Sequence, residues 1–292
     1  MVPEAFAVPT MAREGEAGHQ WIAALPDLIA ALCAEWGLVV DGPAMHGYLG
    51  LVIPVQRGAE PCVLKVSWLN DSTRDEATAL AAWAGQGAVR LLAAEPAQGA
   101  MLLERLDWQH SLNDLGIAEA LAIAGGLLRR LAIPAPPDLR QAETLAGVWV
   151  HDLPTRWEQW GHPMPRRVLD QARDLAGQFS TAGSANLLVN YDLHYADVLA
   201  SRRAPWLVVD PMVVVGDPEF GIAQLLWRRL EDIEAHGGLD QHFPLLIEAA
   251  KLDPRLAHAW TLLRCVDYWL WGLSVGLTYD PARCERIINW LV

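Results

Sequence analysis

Four side chains with the means to do chemistry share one short stretch. Asp192, His194 and Asp197 lie in NLLVNYDLHYADVL (186–199), and Asp210 closes the apolar run of WLVVDP (206–211). A carboxylate beside an apolar strand is costly to desolvate unless a metal, a base or a hydrogen-bond partner compensates it. Acids at this spacing suit a Mg2+–nucleotide site, where one or two carboxylates and the phosphate oxygens supply hard ligands. Phosphoryl transfer also needs a carboxylate that orients the attacking hydroxyl and accepts its proton. The order D-x-H-x-x-D equally suggests a metallohydrolase, although no H-E-x-x-H or second histidine cluster accompanies it. His194 reads as a structural hydrogen-bonding residue before it reads as a base.

A second pair lies far upstream. The chain has two lysines, Lys65 and Lys251, against 20 arginines. Lys65 falls inside the strand pattern CVLKV, where an uncompensated ammonium is expensive. Phosphates, together with a carboxylate from the next helix, would compensate it, and Glu76 in RDEATAL is placed to do so. A metallohydrolase leaves both residues unexplained.

The elements that must position these groups change character along the chain. WIAALPDLIAALCAEW (21–36) has helical apolar spacing around a proline. GLVVDGPAMHGYLGLVIPVQ, PCVLKVSWL, AVRLLAAE and AMLLERL read as strands, and RDEATALAAWAG (74–85) as a helix ending at Gly85 or Gly87. The glycines of DGPAMHGYLG fall where a phosphate-covering loop would lie, but a plain hairpin explains them as well. Beyond residue 107 helical patterns dominate, at about 113–132, 138–160, 164–181, 219–235, 240–250, 255–276 and 281–291. The reading is α+β, with a strand-rich first lobe over residues 1–104 and a helical second lobe over 105–292.

Composition narrows the classes. At 292 residues and 52% hydrophobic content the chain can bury a full core. A net charge of −13 argues against nucleic acid or an anionic membrane as partner and suits a cationic small molecule. Cys33, Cys62, Cys265 and Cys284 are widely spaced, with neither a disulfide framework nor a zinc pattern, which fits a reducing cytoplasm. MVPEAFAVPTMAREGEAGHQ lacks the apolar core of a signal peptide. HAWTLLRCVDYWLWGLSVGL (258–277) contains Arg264 and Asp267 and reads as a buried helix, not a membrane span.

VLKVSW, DEATALAAWAGQGAVRLL, MLLERLD, and DLHYADVL followed by VVDPMVVVGDPEF occur in that order over roughly residues 20–290. They resemble the aminoglycoside phosphotransferases, in particular the branch of streptomycin and hydroxyurea-resistance kinases. The resemblance implies a protein-kinase-like two-lobed fold with ATP between the lobes. It implies that Lys65 meets the α/β-phosphates, that Glu76 holds Lys65, and that backbone around Glu104–Leu106 meets the adenine. Asp192 would be the catalytic base, with Asp197 and Asp210 as Mg2+ ligands.

The chain departs from the family pattern at three places. The usual His-Gly before the catalytic Asp is Asn190-Tyr191, the usual Asn ligand is Asp197, and an Asp that commonly braces the catalytic loop is Gly221. A second carboxylate about 4 Å from its neighbour costs on the order of 1–4 kcal/mol, which one divalent cation bonded to both would offset. Asp152, Asp217, Glu219 and Asp267 are candidates to receive substrate ammonium groups, and Trp271 to line the substrate pocket. The expectation is a cytoplasmic ATP- and Mg2+-dependent kinase, monomeric or weakly dimeric, acting on a hydroxyl of a small cationic molecule such as streptomycin. A metabolic kinase of amino sugars or amino alcohols, and a catalytically silent nucleotide-binding homologue, remain the alternatives.

Overall fold

The computed structural model describes residues 2–292. Its contacts divide the chain into two compact units. The first runs to Gly85 and resumes over Val89–Asp107; the second comprises Gln86–Ala88 and Trp108–Val292.

The first unit opens on α1 (Glu4–Trp36), followed by β1 (Leu38–Val40), β2 (Met45–His46), β3 (Gly50–Arg57) and β4 (Glu60–Ser67). α2 (Glu76–Trp83), β5 (Leu91–Glu95) and β6 (Ala100–Glu104) complete it. The strands form one antiparallel sheet in the order β1-β3-β4-β6-β5, with β2 paired to β3. α1 covers the sheet: Phe6, Leu25 and Leu32 share a core with Leu51, Ile53, Val55, Leu64 and Leu102. The helix begins at Glu4, well before the residue 21 that apolar spacing indicates. Pro9 and a break at Gly15 (φ 61°, ψ −139°) interrupt its first half, so no continuous 3.6-residue period runs through it. The glycine-rich segment 41–50 holds the short β2–β3 hairpin, closed by a bond from Gly47 N–H to the Gly50 carbonyl at 2.9 Å.

The second unit begins around β7 (Asp107–Ser111) and continues with α3 (Ile117–Leu131), α4 (Ala142–Gln159) and α5 (Arg166–Phe179). Four short strands follow: β8 (Leu187–Asn190), β9 (Val198–Ala200), β10 (Trp206–Val208) and β11 (Val213–Gly216). α6 (Ala223–Trp227), α7 (Leu230–Ala235), α8 (Gly238–Ala250), α9 (Pro254–Ser274) and α10 (Tyr279–Leu291) end the chain. The acidic stretch makes two antiparallel pairs, β8 with β11 and β9 with β10, and β9 also lies beside β7. This places 191–197 and 209–212 in loops between strands. α3 buries Ala120, Leu121, Ala124, Leu127, Leu128 and Leu131, a helical stripe facing the core. α9 starts where Asp253 accepts from the N–H groups of Arg255 and Leu256 and Pro254 takes the first helical position. The apolar stretch at 258–277 lies largely in this helix. Among the described residues no helix is long and apolar enough to cross a membrane.

Candidate active site

In the first unit, Lys65 lies mid-strand on β4, opposite Val52 on one side and Met101 on the other. Its Nζ donates to both carboxylate oxygens of Glu76 at 2.6 Å. The lysine side chain is 6% exposed and the glutamate 1%. Gly50 makes room for this lysine: a Cβ there would stand 3.3 Å from Lys65 Cε and 2.9 Å from Ser67 Oγ. Glu76 occupies the first turn of α2, where the helix dipole favours a negative charge. Glu104 ends β6 with its Oε1 accepting from Arg90 N–H at 2.7 Å, and Leu106 is half-buried just beyond.

In the second unit, the loop from β8 to β9 carries the acids. The backbone N–H of Asp192 donates to Asn190 Oδ1 at 3.1 Å, and the Gln224 Nε2 donates to Asp192 Oδ1 at 2.6 Å. The loop then makes one 3-10 turn, Tyr195–Asp197. His194 Nε2 lies 3.0 Å from Asp197 Oδ2. Ligand atoms of Asp192, His194 and Asp197 all fall within 4.8 Å of one another. Asp197 offers that group a hard carboxylate oxygen of the kind Mg2+ takes. Asp210 stands outside the group on the β10–β11 loop, exposed, with φ 50°. Aspartate is among the few side chains that tolerate this left-handed region.

The electrostatics divide these groups by role. Burial first, then the negative charge of Asp210, push the Asp192 carboxyl up to about 6. Arg228, Arg264 and the Gln224 hydrogen bond pull the other way. Burial, with Arg228 second, holds His194 down to about 4, so the ring is neutral at pH 7. Asp210 acts on both residues, which places its charge beside the loop although it makes no part of the three-residue cluster.

Three residues hold the loop from behind; sequence reasoning notes Asn190 as a departure from the family pattern and Arg264 as a charge in an apolar stretch, and passes over Gln224. Arg264, 6% exposed on α9, donates from Nη2 to the Tyr191 carbonyl at 3.2 Å and lies over the rings of Phe220 and Tyr191. Gln224, 2% exposed on α6, holds the Asp192 carboxylate. Asn190, 2% exposed, accepts the Asp192 N–H within the loop, at a position where the family pattern has histidine. Gly221, the position that lacks the expected aspartate, packs against the loop backbone. A Cβ there would come within 2.6 Å of the Asn190 carbonyl oxygen and 3.2 Å of Val189 Cγ1. Gly221→Ala is therefore expected to destabilise the protein by about 1–3 kcal/mol through overpacking. Thermal unfolding reads that directly, and an unchanged melting temperature would show that the loop yields to the methyl group.

The remaining acidic candidates are engaged internally. Asp217 accepts from Ala185 N–H at 3.0 Å and from the Trp260 indole at 3.2 Å. Glu219, 5% exposed, accepts from Asp253 N–H at 2.8 Å, and burial raises its carboxyl above the ordinary value. Arg156 bridges Asp152 at 2.7 Å and Asp267 at 2.8 Å. Trp271 is exposed on α9, its ring 5.1 Å from Tyr268, which stacks on Trp227 at 4.4 Å. The i,i+4 spacing of Asp152 and Arg156 is visible along the chain, whereas the second partner, Asp267 on α9, is not.

Residues 35–276 match the family described as aminoglycoside/hydroxyurea antibiotic resistance kinase. The chain is 37% identical over 285 residues to streptomycin 6-kinase of Streptomyces griseus, covering 95% of this chain and 92% of that protein. It is 37% identical over 277 residues to hydroxyurea phosphotransferase of Kitasatospora aureofaciens, covering 92% and 79%. A thermostable mutant of an aminoglycoside phosphotransferase, solved with ADP and hygromycin B, superposes with a TM-score of 0.61 at 16% identity. The match covers 89% of this chain and 97% of that one, and shows that the two share a fold.

Proposed function

The chain belongs to the aminoglycoside/hydroxyurea antibiotic resistance kinases, and from that premise we propose that it phosphorylates a hydroxyl of a streptomycin-type aminoglycoside with ATP, conferring resistance. The observation that carries the acceptor is the near full-length 37% identity to a streptomycin 6-kinase. The net charge of −13 agrees with a cationic acceptor. The matched hydroxyurea phosphotransferase makes hydroxyurea, a small neutral molecule, the second acceptor to test.

Roles follow from the chemistry of the side chains. Lys65, fixed by Glu76, offers a positive charge to the nucleotide phosphates. Asp192 accepts the proton of the acceptor hydroxyl as its oxygen bonds to the γ-phosphorus of ATP and the bond from that phosphorus to the β,γ-bridging oxygen breaks, releasing ADP. Its carboxyl, held near 6, is ionised at neutral pH yet more basic than an ordinary aspartate, which suits a proton acceptor. Asp197 and Asp210 would hold Mg2+, which when bound neutralises charge on the phosphates. His194 stays neutral and orients Asp197 by their 3.0 Å contact. Backbone of Glu104–Leu106 meets the adenine. The enzyme works in the cytoplasm, as a monomer or weak dimer. Trp271 and the acids near it form the acceptor side, with Asp152 and Asp267 fixed through Arg156 and Asp217 and Glu219 supporting the fold behind them.

ADP release in the presence of Mg-ATP, measured against streptomycin, other aminoglycosides, hydroxyurea and amino sugars, tests this reading. Streptomycin should give the highest kcat/KM. Turnover confined to amino sugars would make the protein a metabolic kinase. Nucleotide binding with no turnover on any acceptor would make it a silent homologue.

A further inference from the structure

We propose that Gln224 is a positioning residue for phosphoryl transfer: its buried carboxamide fixes the Asp192 carboxylate in the orientation from which it takes the acceptor's proton. The inference rests on the phosphotransferase reading above. Gln224 lies on α6, in a segment from Glu219 to Trp227 that is buried throughout. Packing on all sides leaves its side chain little rotamer freedom. Its Nε2 reaches Asp192 Oδ1 at 2.6 Å, while Asn190 Oδ1 holds the Asp192 main-chain N–H at 3.1 Å. The base is thus pinned at its backbone and at one carboxylate oxygen, and the second oxygen is left for the hydroxyl. An ionised carboxylate only accepts hydrogen bonds, so the amide must turn its N–H towards Asp192. A neutral donor orients the base without neutralising it, as a lysine or arginine would.

The other end of the same carboxamide argues that its task is not to stabilise the fold. Gln224 Oε1 is buried without a hydrogen-bond partner. An unpaired buried acceptor is unfavourable, and a leucine or methionine in the same space would avoid it. One polar end of the side chain is thus left unpaired, while the other goes to the proposed base. It also stands three residues beyond Gly221, the position where the family pattern carries an aspartate brace. In this chain the glycine lets the backbone close on Asn190, and the brace comes from the next turn.

Gln224→Leu and Gln224→Met remove the donor while filling the space; the methionine variant also keeps the chain length and serves if the leucine does not fold. Both are compared with wild type on the best acceptor. Misplacing the base should lower kcat by about 100-fold, with the KM of nucleotide and acceptor each within about threefold and the protein still folded at the assay temperature. Gln224→Glu, which sets a second carboxylate against Asp192, should lower kcat at least as far. Wild-type kcat in the methionine variant would overturn the proposal. So would a fall in kcat that merely follows lost stability or raised KM. A wild-type protein with no phosphotransferase activity would remove the underlying reading and this inference together, whereas an active wild type with an equally active methionine variant would remove only the inference.

Discussion

Asp192→Asn is expected to reduce kcat by about 1000-fold while making the metal-free protein more stable above pH 6. The first half follows from the loss of the proposed proton acceptor, with nucleotide binding left largely intact because the asparagine keeps the shape of the loop. The second half follows from the carboxyl's value of about 6 in the folded protein against 3.8 when exposed. The folded state binds this proton more tightly than the unfolded chain, so stability is full below pH 4 and is lost as pH rises through 6. Above that range the ionised carboxylate destabilises the fold by at most about 3 kcal/mol, less what its partial solvent access relieves. Asparagine does not ionise, so the variant escapes this loss. Urea unfolding of both proteins between pH 4 and pH 8 should show curves that coincide at the acid end and separate at the basic end. A stability difference that does not change with pH would mean that burial does not govern this carboxyl.

The same residue shows what the sequence made legible and what it did not. Asp192, Asp197 and Asp210 announce themselves because a carboxylate next to LLVN or WLVV is chemically out of place, and out-of-place residues are local facts. The order of Lys65 and Glu76 ahead of them is likewise visible along the chain, and the two side chains do meet at 2.6 Å. What supports the loop is not local. Gln224 is 32 residues from Asp192 and Arg264 is 73 from Tyr191. Both sit in apolar helical patterns where a single polar residue reads as a tolerated exception. Gly221 looks like a missing brace in sequence, yet in the fold a side chain there would strike the Asn190 carbonyl. Absence of a side chain carries meaning only once the neighbour is known. Arg156 makes the same point for two of the other acids. Asp152 and Asp267 look like free carboxylates until α4 and α9 bring one guanidinium against both.

Glu76→Ala is expected to destabilise the protein by about 3–5 kcal/mol, a fall of about 10 °C in melting temperature for a chain of this size. The Lys65–Glu76 pair is almost fully buried, at 6% and 1% exposure. Deleting the carboxylate removes the partner at 2.6 Å from an ammonium that is itself buried. Attraction between the two charges offsets their desolvation only while both are present, so the pair is worth less to the fold than either single deletion suggests. That asymmetry supplies the control. The double replacement Lys65→Met with Glu76→Leu removes both charges and should recover most of the lost stability. It should nonetheless bind ATP far more weakly than wild type, because the ammonium proposed to meet the phosphates is gone. Calorimetry of nucleotide binding beside thermal unfolding separates the two effects. A double variant as unstable as Glu76→Ala would show that the ion pair itself holds α2 to the sheet. A double variant that binds ATP as wild type does would remove Lys65 from the nucleotide site.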